Sequence, residues 1–360
     1  MAVTAQAGIF GFGPQGAMEE AATLFWKHKA TLIDLGVNDD IRVGPMEIGS
    51  GPFPTFPYKA GYVVGGGVEL MPRLHDSIGW LLYATLGDVS TGAPVSGVYT
   101  HTFKPLAADK SFVRWLSLRK YIPMKEGDAA TDIGELYTDV KPVGLTLTLP
   151  NDQPITARWD FMGREFQLVD SIAGWTWQNA NYENWDSIPV GCELGGFIKF
   201  TGGGLTDEEL PVVGARVTFA NQNLDIRQEK VYGSPALEDI TIIQRQITFD
   251  CTIKWNNPKL YKAILTGSSV GSAWSSSPMT GEMEIAMVGT GIAGGGSQKY
   301  QLNIEAKNIM WQMNGPIQLA GGQAIIARFT GTALEPDTGD YATFVLQNEA
   351  VSYAWPAAGS

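Results

Sequence analysis

The chain has 360 residues, a formal net charge of −12 and a pI near 4.8. At 44% hydrophobic and 17% charged it has the apolar residues to build a core, which excludes intrinsic disorder. Its acidity argues against a protein that grips nucleic acid by summed basic charge. Two cysteines, Cys192 and Cys251, exclude a disulfide scaffold or a Cys-rich zinc site. No apolar run is long enough to span a membrane, and the first residues lack the basic start and apolar core of a secretory signal.

In chain order, Gly11-Phe12-Gly13-Pro14-Gln15-Gly16 has the G-x-G-x-x-G spacing that can seat pyrophosphate on a helix N-terminus. Ala17 to Trp26 has helix-like composition. No strong strand precedes it and no strand–helix alternation follows, so the dinucleotide reading fails and residues 1–27 read as an N-terminal arm. Gly44 to Gly61 holds Pro45, Pro52, Pro54 and Pro57, a long loop of the kind that orders against a partner. Gly65-Gly66-Gly67 lacks the Lys-Ser/Thr of a P-loop. Leu74, Ile78, Leu81, Leu82 and Leu86 are spaced as a helix between Pro72 and Gly87.

Tyr99-Thr100-His101-Thr102-Phe103 alternates as a strand. Val143, Leu145, Leu147 and Leu149, then Ile155, Ala157, Trp159 and Phe161, flank Asn151-Asp152-Gln153-Pro154 and predict a hairpin. Residues 171–210, with Trp175, Trp177, Trp185 and Gly202-Gly203-Gly204, read as a linker or insertion. Period two resumes at Val217 and Phe219, at Ile240, Ile242, Ile247, Phe249, Cys251 and Ile253, and at Met283, Ile285, Met287, Leu302 and Ile304. Leu260, Ala263 and Ile264 predict a second helix between Pro258 and Gly267. A Ser/Gly loop fills Gly267 to Gly281. Tyr341, Phe344, Leu346, Val351 and Tyr353 close the pattern.

Three matches recur in order and predict that one unit occurs twice. Asp40-Ile41-Arg42 matches Asp225-Ile226-Arg227, Val68 to Gly87 resembles Ile253 to Gly267, and Ile155 to Trp159 matches Ile325 to Phe329.

No catalytic, cofactor-binding or metal-binding residue is assigned. His28, His75 and His101 form no i,i+4 pair, and the cysteines have no His nearby. His75 reads as solvated or capping beside Asp76, and His101 as a packed strand residue. A Ser–His–Asp triad assembles across space, so sequence leaves it open, but no G-x-S-x-G elbow precedes a helix. Asp207-Glu208-Glu209, and Asp128, Asp132 and Glu135, read as solvated turns. Glu183 and Asp186 beside Trp177 and Trp185 have the ingredients of a glycosidase pair, which chance also supplies.

Gly65-Gly66-Gly67-Val68-Glu69-Leu70-Met71-Pro72, the run Ile78 to Gly87 ending in Leu86-Gly87, and Tyr99 to Phe103 with its His together resemble the major tail tube protein of long-tailed (siphovirus-like) bacteriophages. Val212 to Gly267 resembles a second copy without the Leu-Gly and His features. The resemblance implies a mainly β fold of two tandem tail-tube-type β-sandwich domains with short flanking helices, contributing to an intersubunit β-barrel. The domains expected are an arm at 1–27, a first domain at 28–170, a linker or insertion at 171–210, and a second domain with a C-terminal tail at 211–360. The implied role is a structural virion protein, made in the host cytoplasm, that self-assembles as trimeric rings stacked into a tail tube. That tube would be an acidic-lined conduit for DNA ejection, with no enzymatic activity. Implied partners are other copies of the chain, a tape measure protein in the lumen, tail terminator and tail tip proteins, and DNA in transit without specific binding; no membrane and no cofactor are implied. The alternative is a two-domain β-sandwich module that binds glycan or a host surface through its tryptophans.

Overall fold

The computed structural model describes residues 8–46, 48, 53–54, 56–106, 114–123, 132–178, 184–209, 211–223, 225, 228–317, 319, 325–336 and 339–356. The fold is mainly β. The first strands are β1 (Ile9–Pro14), β2 (Trp26–His28), β3 (Leu32–Ile33), β4 (Gly36–Val43) and β5 (Pro57–Leu70). After α1 (Ile78–Leu86) come β6 (Gly87–Thr91), β7 (Tyr99–Pro105), β8 (Leu116–Ile122), β9 (Ile133–Pro150) and β10 (Thr156–Val169). Next are β11 (Phe197–Gly202), β12 (Leu205–Glu209), β13 (Val212–Asn223) and β14 (Ile242–Lys254), then α2 (Lys259–Thr266). The chain closes with β15 (Thr280–Gly291), β16 (Lys299–Met313), β17 (Ile326–Ala333) and β18 (Ala342–Asn348).

All pairings between these strands are antiparallel, and one order occurs twice. In the first half β4, β5, β10, β9, β8 and β1 lie side by side, with β2 beyond β1. In the second, β13, β14, β17, β16, β15 and β11 do so, with β12 beyond β11. The registers coincide as well. Ile33, Val37 and Ile41 oppose Val68, Val64 and Lys59, while Ala215, Phe219 and Asn223 oppose Cys251, Ile247 and Ile242. Each hairpin bulges at the same place, between Asp39 and Ile41 and between Gln222 and Asn223. Trp159 sits between Val68 and Leu145, as Phe329 sits between Cys251 and Met313. This is the alignment of Ile155–Trp159 with Ile325–Phe329. The Asp-Ile-Arg match is not an equivalence, since the register sets Ile41 beside Asn223; Ile226 and Arg227 lie outside the described residues.

Both helices end on a glycine in the left-handed region, Gly87 at φ 99 and Gly267 at φ 74, which an L side chain adopts at a cost. Core rows run across strands. Leu70, Ala157, Leu147, Val217 and Phe249 are mutual neighbours, each buried, because alternate residues share a face. Buried Ile78, Leu81, Leu82 and Leu86 of α1 join the same cluster.

Four expectations change. Ala17 to Trp26 forms no helix: Glu19 has φ 68, and its N–H and the Gln15 amide are both bound to Asp139 Oδ1, 2.8 and 3.0 Å away, so the chain follows a side-chain scaffold instead of its own i,i+4 ladder. Residues 8–27 also do pack, since Phe10 and Phe12 of β1 are buried. Val351 and Tyr353 do not extend β18; Tyr353 turns inward, stacks edge-on against Trp80 and His101, and donates to the Asp76 carbonyl. The stretch 171–210 supplies the β11–β12 hairpin, which continues the sheet beside β15.

The halves are sewn together. β9 pairs with β13 from Gly144↔Ala220 to Pro150↔Gly214, and β7 pairs with β18. Residues 228–241 dock on the first half, where Lys141 Nζ donates to Asp239 Oδ1 (3.0 Å) and Ile240 O (2.8 Å). Nearby, Arg164 Nη1 donates to Asp139 Oδ2 (2.8 Å) and Arg164 Nε to Leu237 O (2.8 Å).

Candidate assembly surface

Opposite the core, the central strands present a polar face. Thr146 and Thr148 lie here, while Leu145, Leu147 and Leu149 are buried on the other side. Cross-strand registers build rows: Glu69, Arg158, Thr146, Thr218, Thr248 and Thr332 form one, and Thr148, Arg216, Asp250 and Thr330 the next. Adjacent threonines on one face pair well, and opposite charges side by side favour one register over a slipped one.

The most ordered polar cluster centres on Arg158. Its Nη2 donates to Asp34 Oδ2 (2.8 Å) and its Nε to Asp160 Oδ1 (2.9 Å). Asp34 also accepts from the Gly67 N–H. Burial pulls the Asp34 carboxyl up, but the Arg158 and Gly67 hydrogen bonds together outweigh it and hold the pKa below the usual value. The same bond to Asp34 is the main cause of a raised Arg158 pKa. Gly67 makes room for this cluster, since a Cβ there would stand 2.6 Å from Arg158 Nη2 and Asp160 Oδ1. Arg158 thus finds its acids inside its own chain rather than across a subunit boundary; its counterpart Arg328 is exposed opposite Thr252. Nothing in sequence marked Asp34, 124 residues from Arg158.

The β4–β5 hairpin carries exposed Ile41, Val43, Met46, Ile48, Phe53, Phe56 and Tyr58. Its arms stay paired out to Val43↔Pro57 and Gly44 N–H to Phe56 O, 2.7 Å, so strand pairing reaches into the expected loop. Pro52 lies outside the described residues. Among the strand edges left unpaired in the described residues are the side of β4 away from β5 and the end of β16 on the side away from β17, which Asn314–Ile317 continue beyond the strand.

The histidines are interior. His75 Nδ1 lies 3.2 Å from Ser187 Oγ and its Nε2 3.3 Å from Asp76 Oδ1, and His28 Nε2 lies 2.6 Å from Ser77 Oγ. Ser77 and Ser187 are both buried at 1% exposure or less, so neither hydroxyl can meet a substrate. Burial, then the charges of His75 and Arg73, push the His28 pKa down to about 3. His101 is buried in β7 with Nδ1 2.9 Å from Thr91 Oγ1. Among the described residues, no group of three or more His, Cys, Asp or Glu could hold a metal. Asp132 accepts from Tyr121 OH (2.5 Å), and Glu135 pairs with Lys120 (2.9 Å). Asp207-Glu208-Glu209 is not a turn but lies in β12, where Asp207 has φ 45 and its N–H donates to Thr201 Oγ1. Trp185 stands over Arg73 and Lys29, while Trp175 and Trp177 flank Arg119. Asp128 and Glu183 lie outside the described residues.

A wholly antiparallel β protein with a polar sheet face, open strand edges and an exposed apolar hairpin offers surfaces suited to association with further chains. A family model described as phage tail tube protein matches residues 39–333, well over half of the chain, and the chain belongs to that family. A search of curated proteins finds no match. Family membership makes it a structural component of the phage tail, of a kind that assembles into a tube.

Proposed function

We propose that three chains close into a ring of six similar units and that rings stack into a tail tube. The observation that carries this reading is the repeated strand order together with the β9–β13 seam that joins one repeat to the next. Three such chains, joined the same way, complete a barrel that leaves no open edge on its inner strands. Read from sequence, the two units would be 28–170 and 211–360; the repeated strand order supports earlier starts, at β1 and β11, with the repeats spanning 9–169 and 197–348. The apolar β4–β5 hairpin reaches the neighbouring ring, where its side chains leave water.

In this reading the polar sheet face lines the lumen. A tape measure protein fills it before ejection, DNA crosses it without specific binding, and terminator and tip proteins close the ends. Over the central strands this face mixes charges, with Asp34, Glu69, Asp160 and Asp250 among Arg158, Arg216, Arg328 and Lys254, and Arg158 ion-paired to Asp34 and Asp160. Paired bases attract phosphate less than bare ones, and the net charge of −12 works in the same direction. Arg328 is left to meet an acid of a neighbouring chain.

Electron microscopy of the purified protein, with ring mass from native mass spectrometry, tests the proposal. Hollow tubes built from three-chain rings are expected. Six chains per ring, or a chain that stays monomeric at all concentrations, refutes it.

A further inference from the structure

We infer that one copy of the chain joins the next edge to edge, Ile33–Asn38 of one against Gln312–Ile317 of the other, in a register dictated by the seam inside each chain. The inference rests on the ring reading above and adds to it a residue-by-residue contact.

Inside the chain, β13 of the second unit pairs with the end of β9 of the first. The partners are Ala220↔Gly144, Phe219↔Leu145, Thr218↔Thr146, Val217↔Leu147, Arg216↔Thr148 and Ala215↔Leu149. β3 and β4 hold in the first unit the place that β13 holds in the second, because Ile33, Val37 and Ile41 share registers with Ala215, Phe219 and Asn223. The end of β16 likewise holds the place of the end of β9, since Met313 opposes Phe329 as Leu145 opposes Trp159. Carrying the internal seam over to the vacant edges therefore pairs Asn38 with Gln312, Val37 with Met313, Gly36 with Asn314, Leu35 with Gly315, Asp34 with Pro316 and Ile33 with Ile317.

Two independent features agree with this register. First, it keeps the faces in phase. Ile33, Val37, Met313 and Ile317 fall on the core side, and Asp34, Asn38, Gln312 and Asn314 on the polar side; a slip by one residue would turn the apolar set outward. Second, burial is incomplete at these four positions. Ile33, Val37, Met313 and Ile317 are only partly buried against the core. Their counterparts in the internal seam, Ala215, Phe219, Leu145 and Leu149, are all at or below 8% exposure. A second copy of the chain would cover the four exactly as the first unit's neighbours cover theirs. The Leu35 carbonyl accepts from Lys120 Nζ (2.8 Å) and keeps a second lone pair for the seam.

Disulfide trapping tests the contact. Asn38→Cys and Gln312→Cys are combined in a Cys192→Ser background, which removes the exposed native thiol. Both positions are exposed on the polar face. Residues directly opposite in an antiparallel pair have Cα atoms about 4.5–5.5 Å apart, within disulfide reach. Oxidation should give a covalent ladder that a reductant collapses, and each single variant should give none. The pairing Asn38→Cys with Asn314→Cys, two residues out of register, should lose the ladder. Should the double variant not assemble, amide exchange on the wild-type chain gives a second reading: Gly36–Asn38 and Gln312–Gly315 should gain protection in tubes relative to dispersed protein. Tubes that form without the cross-link and without that protection overturn the seam while the ring reading stands. A chain that forms neither tubes nor cross-links overturns both.

Discussion

The Asp139–Arg164 pair is where a single charge change should cost most. Asp139 is fully buried and Arg164 is 6% exposed at its side chain. The carboxylate accepts from Arg164 Nη1, Gln15 Nε2 and the Glu19 N–H, tying the N-terminal segment to β9 and β10. Asp139→Asn keeps the shape but removes the charge. Arg164 is then left with the Leu237 carbonyl and with Glu19, 3.7 Å away and mostly exposed. Breaking a buried pair costs about 3–5 kcal/mol, and the nearby Glu19 argues for the lower end, about 3 kcal/mol. At roughly 2 °C per kcal/mol for a chain of this size, the melting temperature should fall by about 6 °C. Scanning calorimetry measures it. The double variant Asp139→Asn/Arg164→Met should recover most of the loss, because it removes the stranded charge. A single variant within about 0.5 kcal/mol of wild type, or a double variant whose losses simply add, would refute the argument.

Gly66 has φ +123, and a Cβ there would meet the Asp34 carbonyl oxygen at 2.4 Å, whereas one at Gly65 has nothing nearer than 3.8 Å. Gly66→Ala should therefore cost about 1–3 kcal/mol in denaturant titration, and Gly65→Ala almost nothing. Burial, then Asp250, push the Cys251 thiol up to about 12, so native protein at pH 8 should give one thiol reactive to a disulfide reagent, Cys192, and denatured protein two. His28 stays neutral in the fold down to about pH 3 while the unfolded chain protonates near 6.5. Stability from this group is whole above pH 6.5 and falls on acidification towards 3, by up to about 1.4 kcal/mol per pH unit; His28→Gln should flatten that slope in melts taken between pH 6.5 and 4. Replacing Ile48 and Phe53 with Ser should leave a folded, soluble chain whose tubes stay short in micrographs, since exposed apolar side chains contribute only when a neighbour buries them.

Local pattern made much of this fold legible. The period-two runs at Val143–Leu149 and Ile155–Phe161 are the β9–β10 hairpin, with Thr148 opposite Thr156, and both Pro-to-Gly helical segments are helices. Periodicity tells which side of a strand is apolar but not which strand lies beside it. Hence Asp34 beside Arg158, or β7 beside β18 with Phe103 opposite Phe344, had no local signature. The failed helix at Ala17–Trp26 has the same origin. Asp139, far along the chain, offers the backbone better partners than a helix would. The assembly edges showed only as an imperfect repeat, because what defines them is a missing neighbour.

The β6–β7 hairpin follows α1 and pairs with β18. After α2, Gly267 to Gly281 forms no hairpin, and among the described residues no strand covers the outer edge of Glu165–Val169, the place in the first half that β18 holds in the second. The two halves are therefore alike in plan and unlike in outline. Around a closed ring every other unit would carry this hairpin, so the ring repeats every third of a revolution and not every sixth. Stacking of the proposed rings would then have a rotational phase to respect, set by three markers. Two copies fused in one chain, as proposed, would also each have their own mutational history: a substitution would enter such a ring at three positions, and the other three would keep the old residue.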